Sequence, residues 1–409
     1  MGVSSNGLSV ERFYQIYHDD NIQRSSMENI VSKKKSIGFL IMREEPGEKR
    51  VFLPDFTRKL TEIGFEVFIE GGYGNSLDLH DDDYKINNPR LHTQVREDVY
   101  MHDYVLILRS PKDDEFPLLG KNSCLISMLH YSTHPMRQQI LEENKIQAIS
   151  LDSIVDDFSV RLVENMRSVA WNGLEVAFAQ FEECDPSLIR KDGNAWKVLV
   201  IGTGMVAKQA VDAASKLGKR ERNDEHMRLG GKGAIVTSIG RNITSNAEHV
   251  KKLFSQADII VDASQRYDPS KPIIPNEWIE NLPGHAVIVD LSVDPYTLGS
   301  NPPVVKGIEG IPHGNLDQYV FEKDDPNWGK TVPKSILSVN RRKVVSCYSW
   351  PGIHPVPCMQ HYGQQLLPLM RILFKNNYHT LSLDGLYFER ALYRARLDSF
   401  LEQKNITNS

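Results

Sequence analysis

From Ser36 onward, short apolar runs alternate with segments in which apolar residues recur at helical spacing. Residues 37–42, 65–69, 105–108, 124–129 and 146–151 read as strands. Between them, residues 56–63, stopped by Gly64, and residues 136–144 read as helices. Residues 157–182 read as one long helix, because Val160, Val163, Met166, Ala170, Leu174, Ala177 and Phe178 recur near a 3.6-residue period. A second strand series follows at residues 198–201, 234–239, 259–263 and 287–290. Residues 295–345 are rich in Pro, Gly and charge and predict surface loops; residues 359–374 and 386–401 predict helix that returns to pack elsewhere. Strands that alternate with helices imply largely parallel sheets with right-handed crossovers.

The second series opens on the sharpest feature of the chain, KVLVIGTGMVAKQAVDAASKL, residues 197–217. An apolar strand ends at Gly202-Thr203-Gly204 and a helix begins at once. Gly202 permits the tight turn, Gly204 leaves room for a phosphate, and Ala207 lets helix and strand pack closely. The first amides of that helix have no partner within it and lie at the positive end of its dipole. Residues Gly202, Thr203, Gly204, Met205 and Val206 are therefore expected to cradle the pyrophosphate of a dinucleotide. At the end of the next strand stands Gly240-Arg241, with no acidic residue to receive an adenosine ribose. Arg241 suits a 2′-phosphate, so the cofactor expected is NADP or NAD, with NADP favoured. The insertion at residues 218–232 leaves that register open.

Together these patterns predict an α/β chain of two Rossmann-like domains, parallel sheets with flanking helices, separated by a cleft and joined by a long helix. The boundaries expected are a polar extension over residues 1–35, a first domain over 36–185, a dinucleotide domain over 186–345, and a segment over 346–409 that returns to the first domain.

Composition narrows the partners. With 409 residues, 40% hydrophobic and 25% charged, the chain is long enough for separate cores. A formal net charge of −5 gives no basic footprint for nucleic acid or an anionic membrane. No apolar run reaches the roughly 18–20 residues that span a bilayer. The start MGVSSN lacks the order of a signal peptide, and Asn6 stands where a myristoylation motif wants Ser or Thr. Four cysteines in such a length fit a reducing compartment, with the cytoplasm as default. Oligomeric state is left open, a homo-oligomer included.

The segment EPGEKRVFLPDFTRKLTEIGFEVFIEGGYGNSLDLHDDDY resembles the opening of the alanine dehydrogenase and transhydrogenase N-terminal family. The collinear series LILRSP, ISMLHYSTHP, the connecting helix, the glycine motif and VIVDLSVD is similar to the same family. DDFSVRLVENMRSVAWNG and VDLSVDPYTLGSNPP resemble saccharopine dehydrogenase (lysine-forming). EPGEKRVFLP and LDLHDDDY are similar to carboxyethylornithine synthase. The likeness spans roughly residues 36–370. It implies a substrate domain first, a nicotinamide cofactor on the second domain, and hydride transfer at a carbon bearing an amine. The small molecules implied are an amino acid and a 2-oxo acid, and an acid-base group and carboxylate-holding cations are needed.

By the same resemblance Arg50 stands at the arginine that holds the substrate carboxylate, and Arg161 at one that holds a second carboxylate. His130 stands at the acid-base histidine, and Asp294 at an aspartate near the nicotinamide. His134 is a second histidine close enough to compete with His130. Arg109 departs from the pattern, because the family carries a catalytic lysine there and arginine does not release its proton in proteins. Either His130 carries the proton transfers, or Lys112 substitutes, or the ordinary chemistry is lost and the chain is a nucleotide-binding regulatory protein. Arg109 can still clamp a carboxylate. Cys347, His354, Cys358 and His361 crowd one stretch, but their spacing fits no ordinary zinc motif and no metal is expected. YSWPGIHPVP is read as a rigid loop at the cleft mouth.

Overall fold

The computed structural model describes residues 35–131 and 134–408. The predicted extension, residues 1–35, lies outside them except for Lys35, whose ammonium donates to the Leu373 carbonyl at 2.9 Å.

Among the described residues, twelve strands form two six-stranded sheets. The first holds β1 (Ser36–Phe39), β2 (Glu66–Glu70), β3 (Leu91–Gln94), β4 (Tyr104–Arg109), β5 (Cys124–Met128) and β6 (Gln147–Ser150) in the order β3-β2-β1-β4-β5-β6. Every pair in it is parallel. The second holds β7 (Trp196–Ile201), β8 (Ala234–Ile239), β9 (Ile259–Asp262), β10 (Val287–Asp290), β11 (Val320–Phe321) and β12 (Lys343–Ser346) in the order β11-β12-β10-β9-β7-β8. Only its edge pair β11–β12 is antiparallel. Strands buried on both faces read as unbroken apolar runs, which is why VLILR, VLVI, IIV and VIV were legible.

Each sheet reverses its winding once. In the first the reversal falls between β1 and β4, in the second between β7 and β9. Crossover connections leave opposite faces there, so a crevice opens beyond the strands' carboxyl ends.

Two of the linking segments are corrected by the structure. The long helix begins at Met166 and ends at Glu182, not at residue 157. The Asp156 carboxylate accepts the amides of Phe158 (2.9 Å) and Val160 (2.8 Å), Ser159 takes φ +62°, and Val155 bridges Arg161. Asp side chains compete in this way for backbone donors that a helix would use. Arg161 thus sits on an exposed turn. Nor is residues 295–345 a run of surface loops: β11 and β12 lie in it, Ile308, Ile311 and Trp328 are buried, and Lys306 is fully enclosed. The insertion after the glycine motif carries a helix, Arg220–Arg228. The last helical stretch divides into Tyr387–Arg394 and Leu397–Asn408. The strand β3 was unforeseen, because LHTQ on a sheet edge shows no apolar run.

The helix Met166–Glu182 packs Ala170, Leu174, Ala177 and Phe178 into the core of the second sheet. The helix Pro355–Lys375 returns to the first, burying Met359, Leu366 and Leu373 there. The chain therefore passes between the sheets twice, and the two passages touch. Asn172 donates to the Trp350 carbonyl at 2.9 Å, His354 pairs with Glu175, and Gln365 and His361 hold the backbone of Glu164. The expected rigid loop is a 3₁₀ turn, Trp350–Ile353, with Trp350 buried and its indole N–H on the Asp290 carbonyl at 2.7 Å.

Candidate active site

The crevice of the second sheet is a cleft of about 700 Å³ lined by Gly202, Thr203, Gly204, Gly240, Arg241 and Ser264 among others. Gly202 has φ +128°, and a methyl group there would stand 2.3 Å from the Ala263 carbonyl oxygen. Gly204 differs: a methyl group would meet nothing within 4 Å. It caps the helix Met205–Ala214 without a side-chain acceptor, and the first intrahelical bond is Lys208 N–H to its carbonyl. The amides of Met205, Val206 and Ala207 have no intrahelical acceptor at the helix's positive end, and Thr203, Gly204 and Met205 lie exposed. Space, donors and field fit a pyrophosphate.

At the far end of this cleft, Arg241 donates to the Gln265 carbonyl at 3.1 Å and lies over the Tyr267 ring at 3.6 Å. Among the described residues, no acidic side chain lines the cleft and no carboxylate lies within ion-pair distance of Arg241.

The crevice of the first sheet holds the other candidates. Arg109 ends β4 at the point of reversal. Its guanidinium stacks over Tyr348 at 4.8 Å and lines a small recess with Met42, Glu45, Glu48 and Pro111. No carboxylate among the described residues pairs with it. Burial first, then Arg50, press its pKa downward. A cation in that position gains by meeting an anion.

Arg50, in contrast, is already paired. It is buried with Glu48 in an ion pair whose two side chains are each 3% exposed. Tyr348 donates its hydroxyl to the same Glu48 carboxylate at 2.8 Å. Burial would lower the pKa of Arg50, but the Glu48 partner outweighs it and holds the guanidinium charged.

His130 follows β5, next to β4 in the sheet. Its backbone takes φ +52°, and Asp152 grips it twice, through the amide at 3.1 Å and ring Nδ1 at 3.2 Å. Ser150 donates to Asp152 at 2.7 Å. Burial would raise the Asp152 carboxyl; the His130 ring and Ser150 hold it well below the usual carboxylate range. Such an orienting carboxylate fixes which ring nitrogen faces outward. The His134 ring is 5.7 Å from that of His130. Lys112 is exposed on the loop after Arg109.

Beyond β10, the Asp294 carboxylate pairs with Arg266 at 2.7 Å, and burial raises its pKa. The sequence reading missed its neighbours. Asp290 ends β10 fully buried, holding Lys306 at 2.6 Å and Ser346 at 2.9 Å. Lys306 also donates to the Asp294 carbonyl at 2.9 Å. An acid closing a fully apolar strand was the available signal for Asp290; Lys306 sits in a loop with none. Cys347 and Cys358 are buried thiols, and the described residues hold no cluster of metal ligands.

Two family models match the chain. The alanine dehydrogenase/PNT N-terminal domain covers residues 40–170, and the corresponding C-terminal domain covers residues 191–303. The NAD(P) transhydrogenase subunit alpha of Haemophilus influenzae is 21% identical over 347 residues, taking in 81% of this chain. The chain spans 64% of that relative's length. Alanine dehydrogenase 1 of Staphylococcus aureus is 23% identical over 269 residues, 61% of this chain and 70% of that one. A solved L-alanine dehydrogenase superposes with a TM-score of 0.65 at 20% identity, covering 88% of this chain and 94% of its own. That likeness shows the fold, and the two models together take in more than half of the sequence. The chain belongs to the alanine dehydrogenase/PNT family.

Proposed function

We propose that the chain is an NAD(P)-dependent oxidoreductase acting on the C–N bond of an amino acid or opine. Its reaction on this reading is the reductive condensation of an amine with a 2-oxo acid, or the reverse. The observation that carries the proposal is the placement, at neighbouring strand ends, of the Arg109 guanidinium, which has no carboxylate within ion-pair distance among the described residues, and an oriented imidazole, His130. Arg109 holds a substrate carboxylate. His130, steadied by Asp152, moves the proton that imine formation and hydrolysis require. The nicotinamide, when bound, supplies or accepts the hydride. Arg50 fixes the Glu48–Tyr348 side of the recess, and Asp294 lies on the nicotinamide side. Arg161 and His134 are candidates for a second substrate group. Arg241 favours NADP through its 2′-phosphate, because that end of the cleft is cationic and has no acid to bind a free ribose.

A second reading has equal support from the family: simple amino-acid dehydrogenation of alanine dehydrogenase type. The two differ in the nitrogen donor. Incubation with NADPH or NADH, pooled 2-oxo acids, and either ammonia or pooled amino acids separates them by loss of nicotinamide absorbance. Turnover with amino acids but not ammonia supports the opine reading; turnover with ammonia alone supports the other. Tight cofactor binding with no turnover on any pool overturns both and favours a regulatory nucleotide-binding protein.

His130→Gln tests the acid-base role. Turnover should fall roughly 10²–10⁴-fold with cofactor affinity little changed. A near-parental rate with an unaltered pH profile would exclude His130.

A further inference from the structure

His313 lies on the loop between β10 and β11, where no motif marked it. Its Nδ1 is buried and has no hydrogen-bond partner. Buried ring nitrogens nearly always find a partner, so an orphan one calls for an explanation. The charged groups that act on it come from both sheets: Lys306 and Asp290 from the second, Arg109 from the first. The backbone beside it is fixed, since the Tyr348 amide donates to the Gly314 carbonyl at 2.9 Å, and Tyr348 carries Arg109 on its ring. A methyl group on Gly314 would stand 1.8 Å from the Ser346 carbonyl oxygen, so this loop is pressed against β12.

We propose that His313 is a second proton-transfer residue of the substrate site, its Nδ1 taking over the exchange that arginine at position 109 cannot perform. The inference rests on the functional reading given above. In the oxidative direction the Nδ1 lone pair accepts one proton from the substrate ammonium, giving imidazolium and the free amine. In the reductive direction the same proton returns to nitrogen, and no electrons pass through the ring. Burial first, then Lys306, push the imidazole down to about 4, with Arg109 adding to the effect and Asp290 opposing it. The ring is therefore a neutral base at pH 7. A carboxylate seated on Arg109 offsets one of the two cations that depress it, so substrate binding lifts its affinity for the proton.

The test has two arms on the full chain. His313→Asn keeps a polar atom near the Nδ1 position and removes titration. It should bind NADPH as the parent does, lose roughly 10²–10⁴-fold in kcat, and show one proton fewer in the acid limb of kcat/KM. In the second arm, the His313 ring resonance of the parent is titrated by NMR with and without oxalate as a carboxylate probe. The signal is assigned by its loss in His313→Asn, or in His313→Gln if the first variant does not fold. Oxalate should raise the His313 pKa, and Arg109→Met should abolish that rise. A near-parental kcat with an unchanged acid limb overturns the proposal, as does a resonance that saturating oxalate leaves unmoved. If the parent turns over no substrate pool, the functional reading falls, and the oxalate titration alone decides whether His313 faces the bound anion.

Discussion

Two glycines separated by a single residue illustrate how differently one residue type can be required. Gly202 is demanded by the fold, since its φ of +128° and the Ala263 carbonyl leave no room for a side chain. Gly204 faces open space, so only a ligand demands it. Gly202→Ala should lower the melting temperature, whereas Gly204→Val should leave it unchanged and abolish cofactor binding. Calorimetry beside fluorescence titration with NADPH checks the pair; unchanged affinity in a folded Gly204→Val protein would place the pyrophosphate elsewhere. Arg241→Ala should weaken NADPH far more than NADH, because a charge-assisted contact is worth about 1.5–3 kcal/mol, a tenfold to hundredfold change. Equal loss for both cofactors would remove Arg241 from the 2′-phosphate. These residues were legible because glycine before a helix and a charge after a strand are local signals. The identity of Arg50 was legible too, but not its ion pair with Glu48, since a sequence does not show which neighbour a side chain turns toward.

At the scale of the element, β10 and its neighbours carry a buried polar cluster that periodicity cannot reveal. Lys306 is enclosed with Asp290, and the Ser346 hydroxyl joins them from β12. Removing one partner of such a pair strands the other charge, so Lys306→Met should cost about 3–5 kcal/mol in urea unfolding. A second acid, Asp262 at the end of β9, is pushed up to about 6 by burial first and then by Asp290. Its folded pKa exceeds its unfolded value near 4, so the native state binds the proton more tightly. This stabilises the fold below about pH 4 and the benefit disappears as pH rises through 6, a swing on the order of 3 kcal/mol. Asp262→Asn should therefore stabilise the chain at pH 8 relative to parent and change it little at pH 4. Thermal unfolding across that range measures it, and parallel curves for the two proteins would contradict the shift. The same cluster explains why residues 295–345 misled a reading by composition. Proline and charge are ordinary marks of a surface loop, yet here Lys306 is satisfied inside by Asp290 and the Asp294 carbonyl.

For the whole molecule, the winding order of each sheet does more than any motif to locate the chemistry. Arg109 and the glycine turn were found separately in the sequence, and both prove to stand at points where crossovers diverge. Strand order depends on contacts far apart in the chain, and so could not be read beforehand; the alternation that implies parallel sheets could. The start of the long helix was misplaced for a similar reason, because Asp156 captures the backbone before apolar spacing can act. The two passages between the sheets lie against each other, joined by Asn172 to Trp350, His354 to Glu175, and His361 to the Glu164 carbonyl. Two covalent threads held side by side behave mechanically as a single pivot. They resist twisting and sliding of one half past the other, and leave one soft bend, about the line that joins the two crossing points. Any opening that admits substrate must then swing the cofactor crevice and the Arg109 recess along one fixed arc, returning them to the same register at every closure.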